Sequence, residues 1–405
     1  MILYIDPGTG SMLFYLALGI VSVLHFGLRK LFVRLKYFSH SKVKTDDNSI
    51  PLVIFSDGKQ YWQFFEPVCR ELDSRSFDVT YYTMSEDDPA LNADIPHLHS
   101  EFIGSGNKAF AKMNFLKADI VLSTTPGLDV FQWKRSKDVK CYVHLPHGTG
   151  IAEYEMFGID FYDAILLGAE HQEKNVRELE KLRSESDKEL YYIGVPYWDT
   201  MRNRIRSSTV PSNKETTVLL SPSWGARSNL LKKYGDLVVD QLLETGYKVV
   251  IRPHPQSYKS EKELLERFKN KYGDKVEWNS DPDNFEILMR ADVMISEYSG
   301  VVYDYACVFD KPVICLQTER DYSTYDMCWL QEDQTWSVKS LPEVGEILTP
   351  DNIGDLKSLI DKCLTSDDYG SRRKKLCDET WFYQGEGAKR TADYIIEKYN
   401  SLCID

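Results

Sequence analysis

Short apolar runs that each stop at a glycine, a proline or a small polar residue recur along this chain, separated by stretches long enough for a helix. In the first half they are LVIFSDG (52–58), DVTYYTM (78–84), ADIVLSTTPG (118–127), KCYVHLPHG (140–148), YDAILLGAE (162–170) and LYYIGVP (190–196), with helical stretches such as HQEKNVRELEKLRSES (171–186) between them. This βα alternation predicts a parallel, doubly wound sheet. Residues 203–215 (NRIRSSTVPSNKE) lack an apolar period and read as a domain junction. The alternation then resumes with TVLLSPSW (217–224), KVVIRPHP (248–255), KVEWN (275–279), ADVMISEYSG (291–300) and KPVICLQ (311–317), and AKRTADYIIEKYNSL near the end reads as helix. The expected fold is α/β: two facing doubly wound, Rossmann-like domains. Their single cleft is lined by the carboxyl ends of both sets of strands.

A chain of 405 residues exceeds the usual size of one hydrophobic core, in keeping with two domains. Its 49 Lys and Arg against 62 Asp and Glu give a formal charge of −13, which argues against nucleic acid as the main partner, so any basic site is local. The eight cysteines include no C-x-x-C pair, and several sit inside apolar runs. They read as small buried hydrophobes in a reducing compartment, with neither a disulfide framework nor a zinc site.

The N-terminus differs from the rest. MLFYLALGIVSVLHFGL (12–28) carries no acidic residue and no Lys or Arg, and behind it come Arg29, Lys30, Arg34, Lys36, Lys42 and Lys44. Its length is near the lower limit for a membrane span, and the basic flank keeps the large domain on the cytoplasmic side. A signal peptide would need a basic region ahead of the apolar run and a small-residue cleavage site after it, and neither is there. Ser22 and His25 leave a helix lying in the membrane interface as the alternative.

Polar residues at strand ends are the candidates for chemistry, because ligands of open α/β sheets sit where strands stop and helices start. The first set is His144, His147, Gly148 and Gly150 in VHLPHGTG, where glycine after His147 lets the backbone turn and expose the ring. A capped turn with a merely hydrogen-bonded His147 is the plain alternative; Pro146 speaks against a metal pair of His144 and His147. The second is Arg252 and His254, held between Pro253 and Pro255, two groups suited to phosphate oxygens. The third is Ser296, Glu297, Tyr298, Ser299 and Gly300, delivered by a buried strand to the start of an apolar helix. Such a start offers free amides to an anion, although N-capping by Ser296 or Ser299 accounts for the same residues. Asp304, further along, reads as a solvated face residue.

HGTG (147–150), IRPHP (251–255), ADVMISEYSGVVYDYACVFDKPVI (291–314) and the late YQGEGA (383–388) together resemble the CDP-glycerol glycerophosphotransferase family, which makes teichoic-acid-like glycerol phosphate polymers and caps. The similarity runs over most of residues 50–395. It implies a fold of glycosyltransferase B type and a histidine catalyst in each domain, which by motif are His147 and His254. It also implies donor-phosphate contact by the serine of the strand-to-helix turn, Ser299. Glu297-Tyr298-Ser299-Gly300 stands where the family usually shows Asp-Tyr-Ser-Ser, and Pro146 where a tryptophan commonly precedes the first His-Gly.

The expected organisation is a membrane-anchoring segment (1–38), a linker (39–50), an acceptor domain (51–205) and a nucleotide-donor domain with C-terminal helices (206–405). The expected reaction moves a polyol phosphate from CDP-glycerol or a related CDP-polyol to a hydroxyl on a lipid-linked or glycan acceptor, at the cytoplasmic face of the cell membrane. His147 is the candidate base. Arg252, His254, Ser296, Glu297, Ser299 and the amides around Gly300 are the candidate phosphate-binding groups. No Asp-x-Asp cluster stands at a strand end, so neither a metal nor a cofactor is expected. Two alternatives remain at this stage. One is a glycosyltransferase of the same fold, with Glu297 or Asp304 on sugar or ribose hydroxyls; the other is a membrane-tethered binding protein without catalysis.

Overall fold

Seven parallel strands make the first sheet: β1 (Ile50–Ser56), β2 (Val79–Thr83), β3 (Leu98–Phe102), β4 (Ala118–Ser123), β5 (Val139–His144), β6 (Ala164–Leu167) and β7 (Glu189–Tyr192), in the order β3-β2-β1-β4-β5-β6-β7. The second sheet has six: β8 (Thr217–Ser221), β9 (Lys248–Ile251), β10 (Glu277–Trp278), β11 (Val293–Ser296), β12 (Val313–Leu316) and β13 (Gly345–Leu348). They are also parallel, in the order β10-β9-β8-β11-β12-β13. Both sheets reverse direction of strand addition once, between β1 and β4 and between β8 and β11, the doubly wound arrangement that the alternation predicts.

This computed structural model describes residues 49–208, 215–225, 228, 230–281, 283–318, 322–331 and 335–404. The expected membrane anchor at 1–38, and the linker up to residue 48, lie outside the described residues. Among the described residues no helix is long and apolar enough to cross a membrane.

The central strands are apolar on both faces because helices cover both faces. Every residue of β4, β6, β8, β11 and β12 is buried. Two strands escape the sequence reading, β3 and β13, and both are sheet edges where the pattern is broken by exposed or half-exposed positions. The expected helix at 171–186 is α1 (Glu170–Arg183). Glu170 and Glu173 in its first turn and Lys181 and Arg183 in its last complement the helix dipole, and Ser184 closes it in the left-handed region at φ 55°.

The halves exchange their last helices. Helix α2 (Pro196–Ser207), which follows the first sheet, buries Tyr197, Trp198 and Met201 in the core of the second. Helix α3 (Gly387–Ile404) follows the second sheet, yet it buries Ala392, Tyr394 and Ile395 with Leu52, Ile54 and Phe65 of the first. Sequence order groups α3 with the second half; packing places it on the first sheet.

The YQGEGA motif makes that return. Asp199 of α2 accepts from the backbone N–H groups of Gly385 (2.5 Å) and Gly387 (2.8 Å) and from Trp381 Nε1 (3.0 Å). Gly194, at φ 80°, lets the carbonyl of Phe382 occupy the place where a Cβ would stand. The glycines of the motif therefore serve the crossover. Residues 50–405 form one compact unit.

Candidate active site

Strand β5 ends in a buried ring. His144 is fully enclosed with Nε2 3.2 Å from Tyr154 Oη, and burial, helped by His147, pushes its pKa down to about 3. It is a neutral core histidine. Three residues later His147 is half-buried, its ring centroid 5.1 Å from Tyr61, 5.7 Å from Tyr154 and 6.5 Å from Phe64. Its Nδ1 lies 3.1 Å from the carbonyl oxygen of Thr124, just past β4. A carbonyl only accepts, so Nδ1 carries the proton and the neutral ring keeps its lone pair on Nε2. Burial lowers the pKa, against the pull of the Thr124 carbonyl, so the ring is neutral near pH 7.

The loop after His147 is braced from α1. Gln172 Nε2 donates to the carbonyls of Gly148 and Thr149, both at 3.2 Å, while its Oε1 accepts from the Gly168 amide at 2.7 Å. His171 Nε2 donates to Thr149 O at 2.7 Å, and its ring stacks on Trp336 of the second half at 4.2 Å. Gly148 does not have the positive φ that a sharp glycine turn would show. These side chains shape the loop instead.

At the end of β9 the second histidine is held the opposite way. His254 Nδ1 accepts from the backbone N–H of Gln256 at 3.1 Å. The lone pair of the neutral ring is thus on Nδ1 and its hydrogen on Nε2. Burial pushes the pKa down to about 4, with Glu261 opposing and the Arg252 charge adding. The ring stacks at 5.7 Å and 27° on Trp224, which is 43% exposed. Trp224 has no signal in the sequence beyond its strand-end position.

The expected phosphate-binding residues separate into two groups. Arg252 is buried, and its guanidinium donates to Asn279 Oδ1 and to the carbonyl of Asp281 at 2.8 Å. It braces the loop after β10. Ser296 is buried and donates to Ser221 O at 2.6 Å, tying β11 to β8. Glu297, also buried, accepts from the Ser228 hydroxyl and from the Leu230 amide at 3.2 Å, at the start of the helix Leu230–Glu244. Both side chains hydrogen-bond within the protein. Ser299 is half-buried and Gly300 exposed, at the start of the turn Val301–Tyr303. Gly300 has helical φ (−57°), and a Cβ there would meet nothing within 4 Å, so neither backbone nor packing demands glycine.

Asp304 corrects the sequence reading. It is no solvated face residue: it accepts from Trp198 Nε1 of α2 at 2.6 Å, and burial pushes its pKa up to about 7 against that hydrogen bond.

His147 and His254 make no hydrogen bond or ring contact with each other, but their surroundings meet. Phe64, beside His147, packs at 4.8 Å on Tyr197, whose hydroxyl feels Asp304. Asp87, past β2, is held below the usual carboxylate range by Lys59 and also by Lys259, five residues after His254. Among the described residues no group of three or more His, Cys, Asp or Glu side chains is arranged to hold a metal ion.

Residues 35–327 match the family described as CDP-glycerol:poly(glycerophosphate) glycerophosphotransferase. No curated protein matches the chain. Among solved structures, the wall teichoic acid polymerase TagF aligns with a TM-score of 0.58 at 17% identity, covering 95% of this chain and 97% of that one. UDP-GlcNAc 2-epimerase from Methanocaldococcus jannaschii aligns with a TM-score of 0.57 at 16% identity, over 85% of this chain and 99% of that one. A putative UDP-N-acetylglucosamine 2-epimerase from Listeria monocytogenes aligns at 0.59 and 11% identity, over 87% and 97%. At these identities the likeness is one of fold, two Rossmann-like halves each built on a parallel sheet.

Proposed function

The chain belongs to the CDP-glycerol:poly(glycerophosphate) glycerophosphotransferase family, and from that premise we propose that it moves glycerol phosphate, or a related polyol phosphate, from a CDP-linked donor to an acceptor hydroxyl and releases CMP. The acceptor belongs to a teichoic-acid-type surface polymer, lipid-linked or glycan, at the cytoplasmic face of the cell membrane.

One observation carries the reading: the backbone fixes the two strand-end histidines in opposite tautomers. His147 presents a lone pair on Nε2, the form a general base needs. His254 presents an N–H on Nε2, the form that stabilises charge on a phosphate oxygen. The acceptor hydroxyl gives its proton to His147 Nε2 as its oxygen bonds to the phosphorus of the polyol phosphate. The bond from that phosphorus to the bridging oxygen breaks, and the oxygen leaves with CMP. Ser299 and the backbone amide of Gly300 supply further donors to the phosphates, and Arg252 acts from behind, by its charge and by holding the neighbouring loop. Sugar transfer would break a carbon–oxygen bond instead and release a nucleoside diphosphate.

Heat protection tests the donor. CDP-glycerol at about a hundred times its Kd should stabilise the full-length protein by about 2.7 kcal/mol and raise Tm. UDP-GlcNAc should give no shift. Protection by the UDP-sugar alone would overturn the reading.

The apolar run at 12–28 and its basic flank support the membrane site. After membranes are pelleted, the full-length chain should be in the pellet and a chain lacking residues 1–38 in the supernatant. Full-length protein in the supernatant would remove the anchor from the account.

A further inference from the structure

The first sheet reverses its strand order between β1 and β4, where a parallel sheet opens a crevice at its carboxyl end. Three side-chain oxygens stand there enclosed: Asp57 Oδ1 just past β1 and, just past β4, Thr125 Oγ1, whose hydroxyl bears on the Asp57 carboxylate, and Thr124 Oγ1, which has no hydrogen-bond partner. Thr124 is completely buried, and Asp57 is half-buried with no ion pair to a described residue. Burial lifts the Asp57 carboxyl above its usual range, and the neighbouring Thr125 hydroxyl only partly draws it back. The carboxylate in turn adds to the burial that pushes Tyr61 up to about 12. Among the described residues no cation answers this charge.

A half-buried carboxylate with a hydroxyl beside it but no cation destabilises the fold when ionised, and such arrangements persist where a ligand completes them. This one adjoins the proposed base from two sides. The Tyr61 ring packs on His147 at 5.1 Å, and the Thr124 carbonyl holds His147 Nδ1. Strand end β4 therefore carries the tautomer lock of the base, the Thr125 hydroxyl beside Asp57 and the unpartnered Thr124 hydroxyl.

We propose that Asp57, backed by the Thr124 and Thr125 hydroxyls, is the subsite that binds the hydroxyl groups of the acceptor. The assignment to the acceptor rests on the function proposed above, in which His147 is the base. An ionised carboxylate only accepts hydrogen bonds, whereas threonine hydroxyls both donate and accept. The combination fits a neutral polyol or glycan unit, whose hydroxyls do both. It repels phosphate, so the phosphates of a polymer acceptor lie away from Asp57.

Asp57→Asn and Asp57→Ala in the full-length protein test this with a synthetic glycerol phosphate oligomer as acceptor. Each variant should raise the acceptor KM by about tenfold or more, the scale of a hydrogen bond to a charged group, and leave the donor KM within about twofold. Tm should stay level or rise in Asp57→Asn, because an uncompensated charge is removed. An unchanged acceptor KM overturns the subsite, as does a fall in Tm in both variants with normal KM, which marks a structural residue. Should the wild-type protein fail to use CDP-glycerol at all, the functional reading falls separately. Titration of the oligomer into wild type and Asp57→Asn needs no turnover and still decides, with equal affinities overturning the subsite.

Discussion

His147→Ala should lower turnover by about a hundredfold or more, the usual effect of losing a positioned general base, while the protein stays folded. Folding is expected to survive because the ring is only half-buried and its hydrogen bond is to a single backbone carbonyl. His147→Gln should be as inactive as the alanine variant, since an amide has no lone pair basic enough to take a hydroxyl proton. The pH profile gives the sign. A base works only unprotonated, so kcat/KM falls as pH drops through its pKa. Burial places that pKa below the ordinary histidine value of 6.5, and the acid limb should lie below it too. Activity within a few-fold of wild type in purified His147→Ala would remove the residue from the chemistry.

His254→Ala should cost about a hundredfold as well, for a different reason and with a different rescue. Here the working atom is a donor, Nε2–H, and losing one such donor to developing phosphate charge costs on the order of 10²- to 10³-fold. His254→Gln places an amide N–H₂ at nearly the same reach and should recover about tenfold over alanine, the scale of one hydrogen bond to a charged group. Glutamine therefore rescues position 254 and not position 147. The reverse pattern would mean that the tautomers set by Gln256 and Thr124 do not set the roles.

The fold was legible because buried parallel strands must be apolar on both faces, and each such run in the sequence became a strand. Strand β3, reading LHSEF, and β13, reading GEIL, were not legible, because edge strands need no continuous apolar face. The histidines were legible from their strand-end positions. Their protonation was not, because it is set by a carbonyl at residue 124 and an amide at residue 256, and backbone groups leave no mark in residue type. The same limit explains Ser296 and Glu297. A polar side chain at a strand end gives no sign in the letters of which protein groups it holds, here the Ser221 carbonyl and the amide of Leu230. Asp304 read as solvated because its cover, Trp198, comes from a helix 106 positions earlier in the chain. Asp57 sits in a run that reads as an ordinary strand-to-turn ending, and nothing in the letters shows that its carboxylate goes unanswered.

The central claim is that the bond broken lies between phosphorus and the bridging oxygen. A donor CDP-glycerol labelled with ³²P in the phosphate next to glycerol tests it directly, with full-length protein and the glycerol phosphate oligomer. The account predicts that the label enters the oligomer while unlabelled CMP appears in equal amount, and that neither happens with His147→Ala. Label released on CDP, with glycerol alone joined to the acceptor, would contradict it.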